Sequence, residues 1–200
     1  MRTVIGLVRH GMTDWNRQGK IQGHTDIPLN DEGREQARRL GLMLKDERWD
    51  LIGTSDLQRA VETAEIIGRQ IGRPVSFTDA RLRERSYGVL EGATFEEREQ
   101  YLKAVGTSLP QGGETEEEVV ARAVKLLEDV ARTHEGKRVL LVTHGGWIVR
   151  VLRSLFPGTE FGYIGNASIS TIAHDQGIWH PLELNRQVPA DGGGDGGESG

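Results

Sequence analysis

Two apolar runs rich in β-branched residues, 3–8 and 139–143, each lead within two residues into a His-Gly pair. The first leads into Arg9-His10-Gly11 and the second into His144-Gly145-Gly146, with Thr143 as the last residue of its run. Runs of this length and composition read as buried strands. Between and after them the pattern changes period. Asn30 is placed to cap a helix in which Ala37, Leu40 and Leu44 recur at helical spacing. Residues 51–55 predict a second strand. Ala60, Ala64, Ile67 and Ile71 line one face of a helix that Gly72 and Pro74 end. Residues 75–77 predict a third short strand. Val119, Ala123, Leu127 and Val130 mark another amphipathic helix, and residues 148–156 one more. Residues 169–173 and 178–184 predict a closing pair of strands. Strands alternating with helices imply an α/β fold: a three-layer α/β/α sandwich around a mostly parallel central sheet.

The segment 81–113 breaks this rhythm. It is rich in charge and glycine and holds one predicted helix, 95–105. It reads as a small loop-helix insertion, cap-like, over the rim of the sheet. The whole forms one domain over residues 1–188. Residues 189–200 are mostly Gly and Asp with little to bury, the composition of a disordered tail. A chain of 200 residues with 36% hydrophobic residues has ample material for one such core.

The formal net charge of −5 argues against a nucleic-acid or membrane-surface partner. An anionic substrate must then be gathered by a local cluster of Arg and His. There is no Cys, which removes disulfides, thiolate nucleophiles and Cys-based zinc sites and fits the cytoplasm. The first apolar run is too short for a signal-peptide core, and no stretch approaches a membrane span. His24, His134, His174 and His180 show no metal-ligand spacing and read as structural or exposed. Oligomeric state is not readable from the sequence.

In a parallel sheet the carboxyl ends of the strands face one rim, where ligands bind. His10 and His144 therefore meet at that rim. Arg59, in the first turn of the helix after the second strand, points at the same place, where backbone N–H groups also favour an anion. Two Arg and two His around a cleft suit a phosphate dianion. A neutral imidazole can attack phosphorus and form a covalent intermediate. Glu84 is of the right type to protonate the leaving alcohol and then deprotonate water. Singly, each has a plainer reading: a core or capping His, a solvated Arg, a surface salt-bridge cluster of Glu84 with Arg81, Arg83 and Arg85. Their joint occurrence at strand ends favours the chemical one.

Arg9-His10-Gly11-Met12-Thr13-Asp14-Trp15-Asn16 resembles the signature of the histidine phosphatase superfamily, which includes the cofactor-dependent phosphoglycerate mutases. The resemblance continues in Gln22-Gly23, Asp26, Pro28-Leu29, Glu32-Gly33, Gln36-Ala37, Ser55-Asp56-Leu57, Arg59-Ala60, Thr63-Ala64, Leu82, Glu84, Glu91-Gly92, Gly112-Gly113-Glu114-Thr115 and Val142-Thr143-His144-Gly145-Gly146. It implies that His10 is the phosphorylated nucleophile and Glu84 the proton donor. It implies phosphate binding by Arg9, Arg59 and His144, with Asn16, Gln22, Gly23 and Gly145 at the substrate site. It implies no metal and no organic cofactor, and a small phosphorylated substrate. Met12 departs from the Glu common in the family and bears on substrate fit.

Within that resemblance, Glu84-Arg85-Ser86-Tyr87-Gly88 looks like the mutases. The short stretch 92–112, Gly146-Trp147 after the second histidine, and Asn166-Ala167-Ser168-Ile169-Ser170 look like the phosphatases. The expected function is a phosphomonoester hydrolase working through phosphohistidine. The alternatives are a phosphoglycerate mutase, and a non-catalytic sensor of phosphorylated ligands.

Overall fold

The structure, a computed structural model, describes residues 1–107 and 109–189. The elements run β1 (Thr3–Arg9), α1 (Asp14–Arg17), α2 (Asp31–Leu44), β2 (Leu51–Thr54), α3 (Gln58–Ile71), β3 (Phe77–Thr78), α4 (Phe95–Val105), α5 (Glu116–Thr133), β4 (Arg138–Thr143), α6 (Gly145–Leu155), β5 (Ile169–Asp175) and β6 (Ile178–Arg186). One-turn helices at Ala80–Leu82 and Gly88–Leu90 lie between β3 and α4. The tail expected to be disordered falls, from residue 190 on, outside the described residues.

One six-stranded sheet has the order β3-β2-β4-β1-β5-β6. The first four of these strands are mutually parallel, while β5 runs antiparallel to β1 and β6 antiparallel to β5. The expected mostly parallel sandwich is therefore present, with the closing pair supplying an antiparallel edge. Alternate side chains of β4 enter opposite cores. Val139 and Leu141 pack with Leu127 of α5 and Trp147 and Val151 of α6. Leu140 and Val142 pack with Leu40 of α2 and Ala64 and Ile67 of α3. Burial on both faces is why these strands are apolar without alternation. Each fully buried Leu or Ile contributes roughly 1.5–3 kcal/mol.

The predicted signals act where expected at several ends. Asn30 caps α2 by accepting the Gly33 N–H, and Gly72 ends α3 at φ 68°. Other limits differ. β3 is two residues, Phe77–Thr78 rather than 75–77, and pairs with Gly53 and Thr54 of β2, with Gly53 leaving room for the Phe77 ring. The last helix begins at Gly145, three residues before its predicted start, because His144 adopts the extended backbone of an N-cap. Helix α1 was not anticipated. Thr13 caps it with a reciprocal capping box to Asn16. Among the described residues no helix is long and apolar enough to cross a membrane.

Candidate active site

The register of β1 against β4 builds the centre of the site. Arg9 is paired with Thr143, so His10 and His144 leave the sheet side by side. The His10 backbone N–H donates to Thr143 O at 3.0 Å. The two imidazoles lie edge to face with centroids 5.2 Å apart. β2 flanks β4 on its other side, and its following residue, Ser55, places its Oγ 3.0 Å from His144 Nε2.

His10 Nδ1 lies 2.7 Å from Gly11 O. A carbonyl only accepts, so Nδ1 carries the proton and Nε2 keeps its lone pair. Burial, then the charges of Arg59 and Arg9, hold the His10 pKa well below the ordinary histidine range. Burial, then Arg59, does the same for His144. Both rings are neutral at physiological pH. The His10 loop is fixed from beneath. A Cβ on Gly11 would stand 2.3 Å from Gly33 O, so the first turn of α2 lies directly against it. Thr63 Oγ1 accepts the Gly11 N–H at 3.1 Å and donates to Arg59 O at 2.7 Å.

Both arginines are buried and held by one side of the guanidinium. Arg9 Nη1 donates to Ile164 O at 2.6 Å and to Tyr163 Oη at 2.9 Å. Arg59 Nη1 and Nη2 donate to Thr25 O at 2.9 Å and Gly23 O at 2.7 Å. Burial pushes the Arg59 pKa down to about 10. Among the described residues, three buried nitrogens around His10 have no protein partner: Arg9 Nε, Arg59 Nε and His144 Nδ1.

Glu84 lines one cavity with Arg9, His10 and Arg59. Its Oε2 accepts the Gly146 N–H and its Oε1 the Arg85 N–H, both at 2.8 Å. The segment carrying it is bolted to the sheet. Thr143 Oγ1 donates to Leu82 O at 2.6 Å, and Trp147 Nε1 to Arg81 O at 2.8 Å. Arg122 of α5 donates to the carbonyls of Arg81, Arg83 and Glu84. His24, expected to be structural, bonds through Nε2 to Glu84 O at 2.8 Å. The paired glycines of the second motif each make room for one site residue. A Cβ on Gly145 would meet Arg9 Nε at 3.0 Å, and one on Gly146 would meet Glu84 Oε1 at 2.6 Å.

The remaining expected residues gather at the same cavity, of about 390 Å³. Asn16 Oδ1 accepts from the Thr13 N–H, the Thr13 hydroxyl and Asn166 Nδ2, while its own Nδ2 has no protein partner among the described residues. Gln22 and Gly23 line the cavity, as does Gly145. Gly23 contributes there through its carbonyl, which grips Arg59. Tyr87 lines it too, but Arg85 does not. Arg85 Nε is spent on Glu114 O at 2.7 Å. The sequence reading missed Lys20, Arg153, Phe161 and Tyr163, which also line the cavity. None sits in a strand-end motif, so only the fold reveals them. It quoted Glu91 in the resemblance without a role; the Glu91 carboxylate accepts N–H bonds from His24, Thr25 and Tyr87 and so sets the loop that holds Arg59.

Comparison with known proteins agrees with this geometry. The family model of the histidine phosphatase superfamily (branch 1) matches residues 5–187. An uncharacterized phosphatase, PhoE of Bacillus subtilis, is 40% identical over 186 residues, covering 92% of this chain and 94% of its own. Phosphoglycerate mutase-like protein 4 of Arabidopsis thaliana is 40% identical over 162 residues, covering 76% of this chain and 69% of its own. A mycobacterial glucosyl-3-phosphoglycerate phosphatase, solved with VO3, superposes with a TM-score of 0.82 at 30% identity over 92% of this chain and 99% of its own. The chain belongs to the histidine phosphatase superfamily, branch 1.

Proposed function

We propose that this phosphatase hydrolyses a small phosphomonoester through a phosphohistidine on His10. The observation that carries this reading is the trio of buried, unpartnered nitrogens around that ring: Arg9 Nε, Arg59 Nε and His144 Nδ1. A buried donor without a partner is costly unless a ligand supplies the acceptor. Phosphoryl oxygens supply it here. The neutral His10 Nε2 attacks phosphorus, the P–O bond to the alcohol breaks, and Glu84 gives that oxygen a proton. Water then attacks the phosphohistidine. Glu84 takes its proton, and inorganic phosphate leaves with the imidazole restored. Arg9, Arg59 and His144 hold the charge that grows on the equatorial oxygens, and Asn16 Nδ2 adds a donor. Gln22, Gly23 and Gly145 shape the mouth. Residues 81–113 form the cap of the single domain, and the setting is the cytoplasm, with no nucleic-acid or membrane partner.

Hydrolysis is favoured over mutase action by Arg85. In the stretch that resembles the mutases, this guanidinium turns to Glu114 O instead of lining the cavity, whose further cations are Lys20 and Arg153. Rapid quench with labelled substrate tests the mechanism. An acid-labile phosphohistidine that disappears in His10→Ala supports it, and wild-type turnover in His10→Ala overturns it. Activity is expected to persist in chelator; loss restored by added metal would refute the metal-free mechanism. Supplying 3-phosphoglycerate with bisphosphoglycerate tests the alternative. Isomer forming faster than free phosphate would make the enzyme a mutase.

A further inference from the structure

Tyr163 is 76% exposed, yet its hydroxyl accepts a hydrogen bond from buried Arg9. It lies in a three-residue strap, Phe161-Gly162-Tyr163, that lines the cavity. Gly162 turns the strap at φ 66°. Its side chains reach the core through Phe161 and the Arg9 guanidinium through Tyr163, while its backbone is held from elsewhere. The anchor comes from the edge strand β6. Asn185 Nδ2 donates to Phe161 O at 2.9 Å and to Tyr163 O at 2.8 Å, bracketing Gly162 from both sides. Asn185 is itself set for this task. It adopts φ 55°, a left-handed conformation that Asn tolerates better than most residues. Its N–H is tied to Ser170 Oγ at 2.9 Å, and the β5–β6 pairing is irregular on this stretch.

The consequence falls on Arg9. The strap and Ile164 O together occupy both hydrogens of Nη1. That leaves the Nε–Nη2 edge, the side of a guanidinium suited to paired binding of phosphate oxygens. We propose that Asn185 is a positioning residue for phosphoryl transfer, acting through the strap 161–163 and the Tyr163 hydroxyl to fix the phosphate-binding edge of Arg9. This rests on the phosphatase reading above.

The test uses orthovanadate as a phosphate mimic, with inhibition constants and steady-state kinetics on the full chain. Asn185→Gly keeps the left-handed backbone available and removes only the bracketing amide. Tyr163→Phe removes only the hydroxyl from an exposed ring and leaves the core untouched. Each variant is expected to weaken vanadate inhibition and kcat/KM by about three- to tenfold, the worth of the one hydrogen bond from Arg9 to the Tyr163 hydroxyl that both disturb. The double variant is expected to lose less than the product of the two, because both act on one chain of contacts. Vanadate inhibition unchanged in both single variants, with the wild type inhibited normally, would overturn the proposal, whatever happens to the melting temperature. Loss of melting temperature in Asn185→Gly with unchanged kcat/KM and vanadate affinity would make Asn185 structural only. A wild type that neither hydrolyses phosphomonoesters nor binds vanadate would instead refute the phosphatase reading itself.

Discussion

Ser55 Oγ lies 3.0 Å from His144 Nε2, and the same oxygen accepts the Leu57 N–H at 3.3 Å. The Ser55 hydroxyl proton has no other acceptor among the described residues. Donated to Nε2, it leaves the proton of His144 on Nδ1, the nitrogen without a protein partner. Ser55 thus decides which face of His144 offers a donor. Ser55→Ala is expected to lower kcat by about three- to tenfold with a smaller change in KM, from the loss of one orienting hydrogen bond. An unchanged kcat would remove Ser55 from this role.

Two neutral buried histidines make the fold sensitive to acid. Unfolded, both titrate near the ordinary value of about 6.5. Folded, both are held well below it by burial and the neighbouring arginines. A depressed folded pKa gives stability that is complete above the unfolded value and falls as pH drops below it. Each histidine then costs up to about 1.4 kcal/mol per pH unit in that window. Chemical denaturation between pH 7 and 5 is expected to show the decline, and His10→Asn to reduce its slope. The catalytic profile should differ: kcat at saturating substrate is expected to show no histidine titration at about pH 6.5, because burial and the two arginines keep His10 neutral there, while kcat/KM also follows the phosphomonoester's own ionisation at about pH 6.

Glu84→Gln keeps the shape and loses the proton. Turnover of esters with poor leaving groups is expected to fall about 10²- to 10⁴-fold, the usual worth of general acid–base catalysis. Nitrophenyl phosphate, whose leaving group needs little protonation, should suffer much less. Equal losses for both would take Glu84 out of the acid role.

Gly146→Ala should mimic that variant without touching the carboxylate. The added methyl would arrive 2.6 Å from Glu84 Oε1 and 2.9 Å from Oε2, pushing the carboxylate off the Gly146 N–H that holds Oε2. The expected signature is the same dependence on leaving group, with vanadate affinity preserved. A uniform loss across substrates would point to distortion of α6 instead.

Much of this site was readable before any coordinates. A strand end followed by histidine fixes direction as well as position, so His10, His144 and Arg59 converge by topology alone. Asn30 and Gly72 mark helix ends by local chemistry that needs no tertiary context. The paired glycines 145 and 146 lie outside the helix predicted over 148–156, yet they form its first turn. Their reason for being in its first turn is three-dimensional: Arg9 and Glu84 pass over them. The same holds for Tyr163 and Asn185. An exposed tyrosine in a loop and an asparagine on an edge strand carry no periodic or motif signal, and their partners arrive from far along the chain.

β4 is made late yet sits in the middle of the sheet, between β1 and β2. During synthesis, β1 and β2 must wait with open edges on the sides it will fill, the exposure that invites wrong pairing between chains. His144 arrives on the same strand. A chain that ends before β4 therefore lacks His144 and the pocket residues of α6. Recovery of phosphate-mimic binding during refolding would time the insertion of that one strand.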